Sequence, residues 1–146
     1  MSCPRNFSWP VRVYYEDTDA GGVVYYANYL GFMERARTEW LRHLGFEQPV
    51  LAEQFGVLFV VRAVNIEYLM PGRFNDSLRV DVTVMETGGS RLRFAQQVCR
   101  GSDVLASAQV DVVCVAVASF RPQRIPASLR TAIESVTDNH NDGAGN

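Results

Sequence analysis

Residues 28–45 read NYLGFMERARTEWLRHLG, and the spacing of their apolar side chains decides what the rest of the chain must supply. Tyr29, Phe32, Met33, Ala36, Trp40, Leu41 and Leu44 recur at three- and four-residue intervals, while Glu34, Arg35, Arg37, Glu39, Arg42 and His43 take the other side. That is the period of an amphipathic helix. Asn28 reads as its N-cap, and Gly45 stands where such a helix stops. The apolar stripe is bulky enough to need a broad sheet over it.

Working outward, the flanking segments supply strands. Upstream, Trp9–Glu16 (WPVRVYYE) is rich in Val and Tyr and reads as a strand. Downstream, residues 57–69 contain Val64, Ile66 and Tyr68 alternating with Asn65 and Glu67, and stop at Met70-Pro71-Gly72. Leu78, Val80, Val82 and Val84 alternate with Arg79, Asp81 and Thr83 before Gly88-Gly89 marks a hairpin into Leu92, Phe94 and Val98. A turn at Gly101-Ser102-Asp103 leads to a long apolar strand over residues 104–118, and a short helix is predicted around Ala127–Val136. Strands joined by tight turns pair antiparallel, so one helix laid on such a sheet is an α+β sandwich. Residues 1–136 read as a single domain, and TDNHNDGAGN, residues 137–146, as a disordered tail.

Composition narrows the function classes. The 146 residues carry a formal charge of -2, which provides no basic field for nucleic acid or anionic lipid. No apolar run is long enough to span a bilayer, and MSCPRNFSW lacks an apolar signal core. Cys3, Cys99 and Cys114 are odd in number and have no CxxC spacing, arguing against a disulfide framework or a zinc site. The expectation is a cytoplasmic, reduced protein with no cofactor. Val110, Val112, Val113 and Val115 put apolar side chains on both faces of the last strand, more than one helix covers, and predict burial against a second subunit.

Familiar catalytic motifs are absent. There is no GxSxG elbow and no GxxxxGK[ST] loop; His43 falls on the polar face of the helix, and His140 in the tail. The cysteines of the strands read as small buried hydrophobes. What remains is the carboxylate pair in YYEDTDAGG, residues 14–22. A metal-binding or phosphotransferase reading of Asp17-Thr18-Asp19 lacks a further acidic cluster, and the plain alternative is a turn built from ordinary turn residues. Its position adds something. A carboxylate between a strand end and a helix N-terminus lies beside amides without intrahelical partners. Those donors can hold a developing oxyanion while the carboxylate attacks the same carbon or activates water to do so. Gly21 and Gly22 leave room for a substrate to approach the backbone. Acyl transfer is the chemistry that needs this arrangement.

The stretch VRVYYEDTDAGGVVYYANYLGFMERARTEWLRHLGF, residues 11–46, closely resembles the start of the hot-dog fold acyl-CoA thioesterases, above all their Tol–Pal-associated branch, with 4-hydroxybenzoyl-CoA thioesterase as a more distant relative. The likeness continues through FVVRAVNIEYLMPGRFNDSL and ASAQVDVVCV, residues 59–78 and 106–115. The resemblance implies an antiparallel sheet wrapped around one long helix, with homodimers assembling into homotetramers. It implies hydrolysis of an acyl-CoA, or of a thioester on an acyl carrier protein. Asp19 would be the catalytic carboxylate, as nucleophile or general base, and the Tyr26 backbone N–H would polarise the carbonyl. Asp17 would hold the turn, and Gly21, Gly22, Val24 and Tyr25 would surround the substrate. Arg91 and Arg121, with Arg93 and Arg124 beside them, are candidates by position for the coenzyme phosphates. One departure stands out: the Tol–Pal-associated branch usually has His where this chain has Tyr26. A backbone role survives that change and an imidazole role does not. This leaves a competing reading, a module that binds an acyl carrier or a protein with vestigial hydrolysis; a dehydratase would want a well-placed His. Within the helix, Glu34–Arg37 and Arg35–Glu39 are predicted ion pairs, with Glu34 alternatively reaching a site across a dimer interface.

Overall fold

The computed structural model describes residues 7–144, with side chains described for residues 7–136. Strand β1 (Phe7–Arg12) leads through a 3-10 turn (Tyr15–Asp17) to helix α1 (Asn28–His43) and a short helix α2 (Gln48–Phe55). Strands β2 (Val57–Tyr68), β3 (Ser77–Thr87), β4 (Arg91–Arg100) and β5 (Asp103–Ala116) follow, and helix α3 (Ala127–Ala144) comes last. The strands form one antiparallel sheet in the order β1-β3-β4-β5-β2. The α+β architecture is the one expected, a sheet lying against a central helix.

The reason is the match of two periods. On α1, Tyr29, Phe32, Met33, Ala36, Trp40 and Leu41 are buried. On β3 the alternate residues Leu78, Val80, Val82 and Val84 are buried, and on β4 Leu92, Phe94, Gln96 and Val98. The helical stripe thus meets the inner face of a period-two surface. Trp40 packs edge-on against Phe94, ring centroids 5.1 Å apart. Gln96 is the polar member of this face; its amide donates to the Met33 carbonyl (3.0 Å) and accepts from Arg37 Nη1 (2.8 Å).

Gly45 does end α1. It sits at φ 96°, its N–H bonds the Arg42 carbonyl, and the Phe46 N–H reaches back to Leu41. Other local expectations are corrected. Asn28 is not the N-cap: Ala27 holds that place at φ -69°, ψ -22°, and the Asn28 side chain donates elsewhere. The first strand ends at Arg12 rather than Glu16. Helix α2 was not anticipated, because eight residues with only Leu51 fully buried carry too little periodicity. Neither predicted ion pair forms. Glu39 pairs with Arg42, which also holds Glu47, while Arg35 lies over the Phe32 ring and Arg37 turns inward to Gln96.

Helix α3 runs past Val136, so its backbone enters the stretch read as a tail; the side chains there, His140 included, and residues 145–146 lie outside the described residues, as do Cys3 and the N-terminal six. Cys99 and Cys114 are buried, and burial pushes the Cys114 thiol up to about 11, so it behaves as a hydrophobe at neutral pH. No helix among the described residues is long and apolar enough to cross a membrane.

The surplus apolar surface is not where the sequence placed it. Val110, Val112 and Val115 on β5 are buried within the chain and Val113 is half-buried, because β5 lies between β4 and β2. The uncovered strip lies on the edge strand β2. Val61 stands opposite Val112 and Val64 opposite Val110, so both face inward, yet they are 48% and 39% exposed.

Candidate active site

Between β1 and α1 the chain makes two tight turns, and each carboxylate serves a different one. Asp17 is buried; its Oδ2 accepts the Tyr14 N–H (2.9 Å) and its Oδ1 the Asn28 side-chain amide (3.1 Å). Its backbone carbonyl accepts the Tyr25 N–H (2.9 Å). Asp17 therefore fastens the 3-10 turn to the entrance of α1. Asp19 is exposed, and its Oδ1 accepts the Gly21 N–H at 2.8 Å. Its other carboxylate oxygen accepts no hydrogen bond among the described residues.

The glycine pair is demanded by this turn itself. A Cβ on Gly21 would stand 3.2 Å from Asp19 Oδ1, and Gly22 adopts φ 79°. Val24 is buried beneath, its N–H on the Gly72 carbonyl (2.8 Å), so it is part of the core as well as of the cleft wall.

At the start of α1, neither the Tyr26 nor the Ala27 N–H meets a backbone acceptor among the described residues. Ala27 is the N-cap of α1 and Tyr26 the residue before it, so both amides stand at the helix entrance. An aromatic group surrounds them. Tyr25 and Tyr26 lie 4.9 Å apart between ring centroids, Tyr26 meets Tyr68 edge-on at 5.9 Å, and Tyr68 packs on Tyr29 at 5.6 Å. A hydrogen bond with Tyr26 raises the Tyr25 phenol above its ordinary value, and the charge of Asp19 adds to the rise. The Tyr29 hydroxyl accepts the Gly72 N–H at 2.8 Å, tying the loop after β2 to the helix. A cleft of about 240 Å³ opens here, lined by Val24, Tyr26, Tyr29, Tyr68, Leu69 and Pro71 among others.

Of the expected site residues, Val24 and Tyr26 line this cleft, while Asp19, Gly21 and Gly22 form the turn that precedes it, with the Asp19 charge felt at Tyr25. Tyr68, in the cleft wall, and Gly72, whose N–H bonds Tyr29, were missed; Tyr68 read only as a strand residue, and MPG only as a strand stop. Arg91 and Arg121 are not brought there within one chain. The loop after β2 is held by the Leu105 carbonyl, whereas Arg91 stands opposite Val113 and the Arg121 carbonyl takes the Ala116 N–H. At about 3.3 Å per residue, β5 separates the two ends by roughly 25–35 Å. Arg93 is engaged with Asp111 and Glu86. Among the described residues no cluster of His, Cys, Asp and Glu could hold a metal ion.

A larger cavity, about 310 Å³, lies beside the second half of α1, with Leu41, Phe59, Leu92 and Phe94 in its walls and Glu34 and Arg37 on the helix side.

Comparison with known proteins gives a consistent picture. A family model described as the thioesterase-like superfamily matches residues 13–133. The chain is 46% identical over 128 residues to acyl-CoA thioesterase YbgC of Haemophilus influenzae, covering 88% of this chain and 94% of that protein. It is 47% identical over 125 residues to acyl-CoA thioester hydrolase YbgC of Escherichia coli, covering 84% and 92%. Among solved structures, a probable thioesterase from Bartonella henselae superposes with a TM-score of 0.79 at 34% identity, covering 82% of this chain and 98% of that one.

Proposed function

Because the chain belongs to the thioesterase-like superfamily, we propose that it is an acyl-CoA thioesterase, cleaving the acyl–sulfur bond to a free acid and CoA with Asp19 as the catalytic carboxylate. The observation that carries this reading is the pairing of two groups. Asp19 is anchored on the Gly21 N–H with one oxygen unengaged, close to a helix entrance whose Tyr26 and Ala27 amides have no backbone acceptor.

With the thioester carbonyl oxygen on the Tyr26 N–H, the negative charge that develops on attack meets a donor already in place, at the positive end of α1. Two routes fit. Asp19 takes a proton from water as the water oxygen bonds to the carbonyl carbon; the C–S bond then breaks and the CoA thiolate takes up a proton. Alternatively, Asp19 bonds to the carbon itself, CoA leaves, and water cleaves the resulting anhydride. Single-turnover hydrolysis in ¹⁸O-water identifies the covalent route when label enters Asp19, as it does if water opens the anhydride at the Asp19 carbonyl. Both routes use the Tyr26 backbone, so the phenol in place of the branch's histidine is compatible with catalysis.

The test of the assignment is Asp19→Asn against a panel of acyl-CoAs. kcat/KM should fall by at least about 10²-fold, the usual worth of a positioned acid or base, with an unchanged circular dichroism spectrum. Equal turnover by both proteins would reject the assignment. The Tyr26 substitution motivates a second reading, a module that holds an acyl carrier with vestigial hydrolysis; an inert wild type and an active Tyr26→His would favour it.

The bare edge of β2 supports assembly as a homodimer and then a homotetramer. Two β2 strands paired antiparallel would bring the Val57 end of one chain against the Tyr68 end of the other, and with it Arg91 and Arg121 toward the coenzyme phosphates. We place the enzyme in the cytoplasm and, on the Asp-x-Asp-x-Gly-Gly-Val-Val-Tyr motif, in the Tol–Pal-associated branch.

A further inference from the structure

The cavity beside the second half of α1 contains a cation that the helix pattern assigned to solvent. Arg37 is half-buried, and its one hydrogen bond among the described residues goes to a neutral group, the Gln96 side-chain oxygen (2.8 Å). Gln96 is itself buried and fixed through its amide on the Met33 carbonyl (3.0 Å), so the guanidinium is held in place by a built support. Burial disfavours its charge, and Glu34 offsets this only at a distance, since the two form no ion pair within 4 Å. A second donor belongs to the same wall: the Trp40 indole N–H is buried and meets no acceptor among the described residues. The rest of the wall is mainly apolar, with Thr38 and Gln48 its other polar members besides Glu34, and the space suits a short chain or one ring. An unpaired indole N–H beside a guanidinium whose one partner is neutral calls for an anion with two oxygens in a plane, which a guanidinium binds in a fork.

We propose that this cavity binds a carboxylate carried on a compact apolar body, with Arg37 reading the charge. That carboxylate has two sources: the free acid released by thioester cleavage, or a carboxylate at the far end of the substrate's acyl group. Naming these sources rests on the hydrolase assignment; the binding itself does not. Glu34, exposed at the mouth, repels an anion and sets a counter-bias that can be removed.

Trp9 and Trp40 give two indole N–H resonances in the ¹⁵N-labelled full chain, and the probe is sodium hexanoate with 1-hexanol as its uncharged counterpart. Hexanoate should shift the Trp40 resonance and leave that of Trp9 in place. Arg37→Gln should weaken binding about 10–100-fold, the worth of a charge-assisted hydrogen bond. Arg37→Lys should retain part of it, and Glu34→Gln should tighten it, which no loss of folding can mimic. Hexanol binding as well as hexanoate, an unmoved Trp40 resonance, or unchanged affinity in Arg37→Gln would each overturn the proposal. Turnover then separates the sources. A preference for adipoyl-CoA over hexanoyl-CoA that disappears in Arg37→Gln assigns the acyl terminus; hexanoate competing with hexanoyl-CoA without such a preference assigns the released acid. A wild type inert on the whole acyl-CoA panel that still binds hexanoate would reject the hydrolase assignment and retain the pocket.

Discussion

Asp17 and Asp19 are two residues apart and chemically identical, and burial separates their roles. Asp17 is enclosed and holds two donors from elements on either side, Tyr14 before the 3-10 turn and Asn28 at the head of α1. Its truncation leaves both donors without their acceptor. Asp17→Ala should cost about 1–3 kcal/mol in urea denaturation, with Asp17→Asn losing less because the amide oxygen still accepts one bond. Turnover should fall with Asp17→Ala too, because the turn that aims Asp19 loses its fastening. The turn that carries Asp19 was legible in the sequence because its parts are local: carboxylate, glycine pair and helix start follow one another along the chain. The Asp17–Asn28 bond was not, since Asn28 before an apolar stripe looks like a cap, and only the folded turn shows that its amide points back.

Periodicity identifies which face of an element is apolar, but not what a polar side chain meets on the next one. That is why β2 through β5 and α1 could be read nearly to their ends, while α2 and the inward turn of Arg37 could not. Arg37 follows Ala36 along the helix and looks solvated on a wheel; the buried Gln96 on β4, remote in sequence, draws it in. The loop after β2 shows the same limit. Gly72 reads as a turn residue, yet a Cβ there would stand 3.0 Å from Val24 Cγ2 and 3.2 Å from the Tyr29 hydroxyl. Gly72→Ala should therefore push the loop off α1. The expected result is a loss of about 1–3 kcal/mol in denaturant melts, the usual cost of overpacking, with KM rising more than kcat falls as the cleft wall is displaced.

At the scale of the whole molecule, the sheet ends on one side in a twelve-residue edge strand whose inward valines remain open to solvent. Exposed edges of this length invite pairing. Val64→Glu puts a charge on that strip without touching the turn at Asp19, and sedimentation should then report a monomer where the wild type is expected to sediment as the proposed homo-oligomer. A wild type that sediments as a monomer at micromolar concentration would contradict the assembly. The strand order has a bearing on biosynthesis as well. β5 bridges β4 and β2, so the strand that joins both sides is the last of the five to leave the ribosome. At about 5–20 residues per second, β2 emerges seconds before the neighbour that will hold it. During that interval the nascent chain carries an unpaired apolar ribbon, and a chaperone arriving then would meet a half-closed sheet whose fate depends on β5.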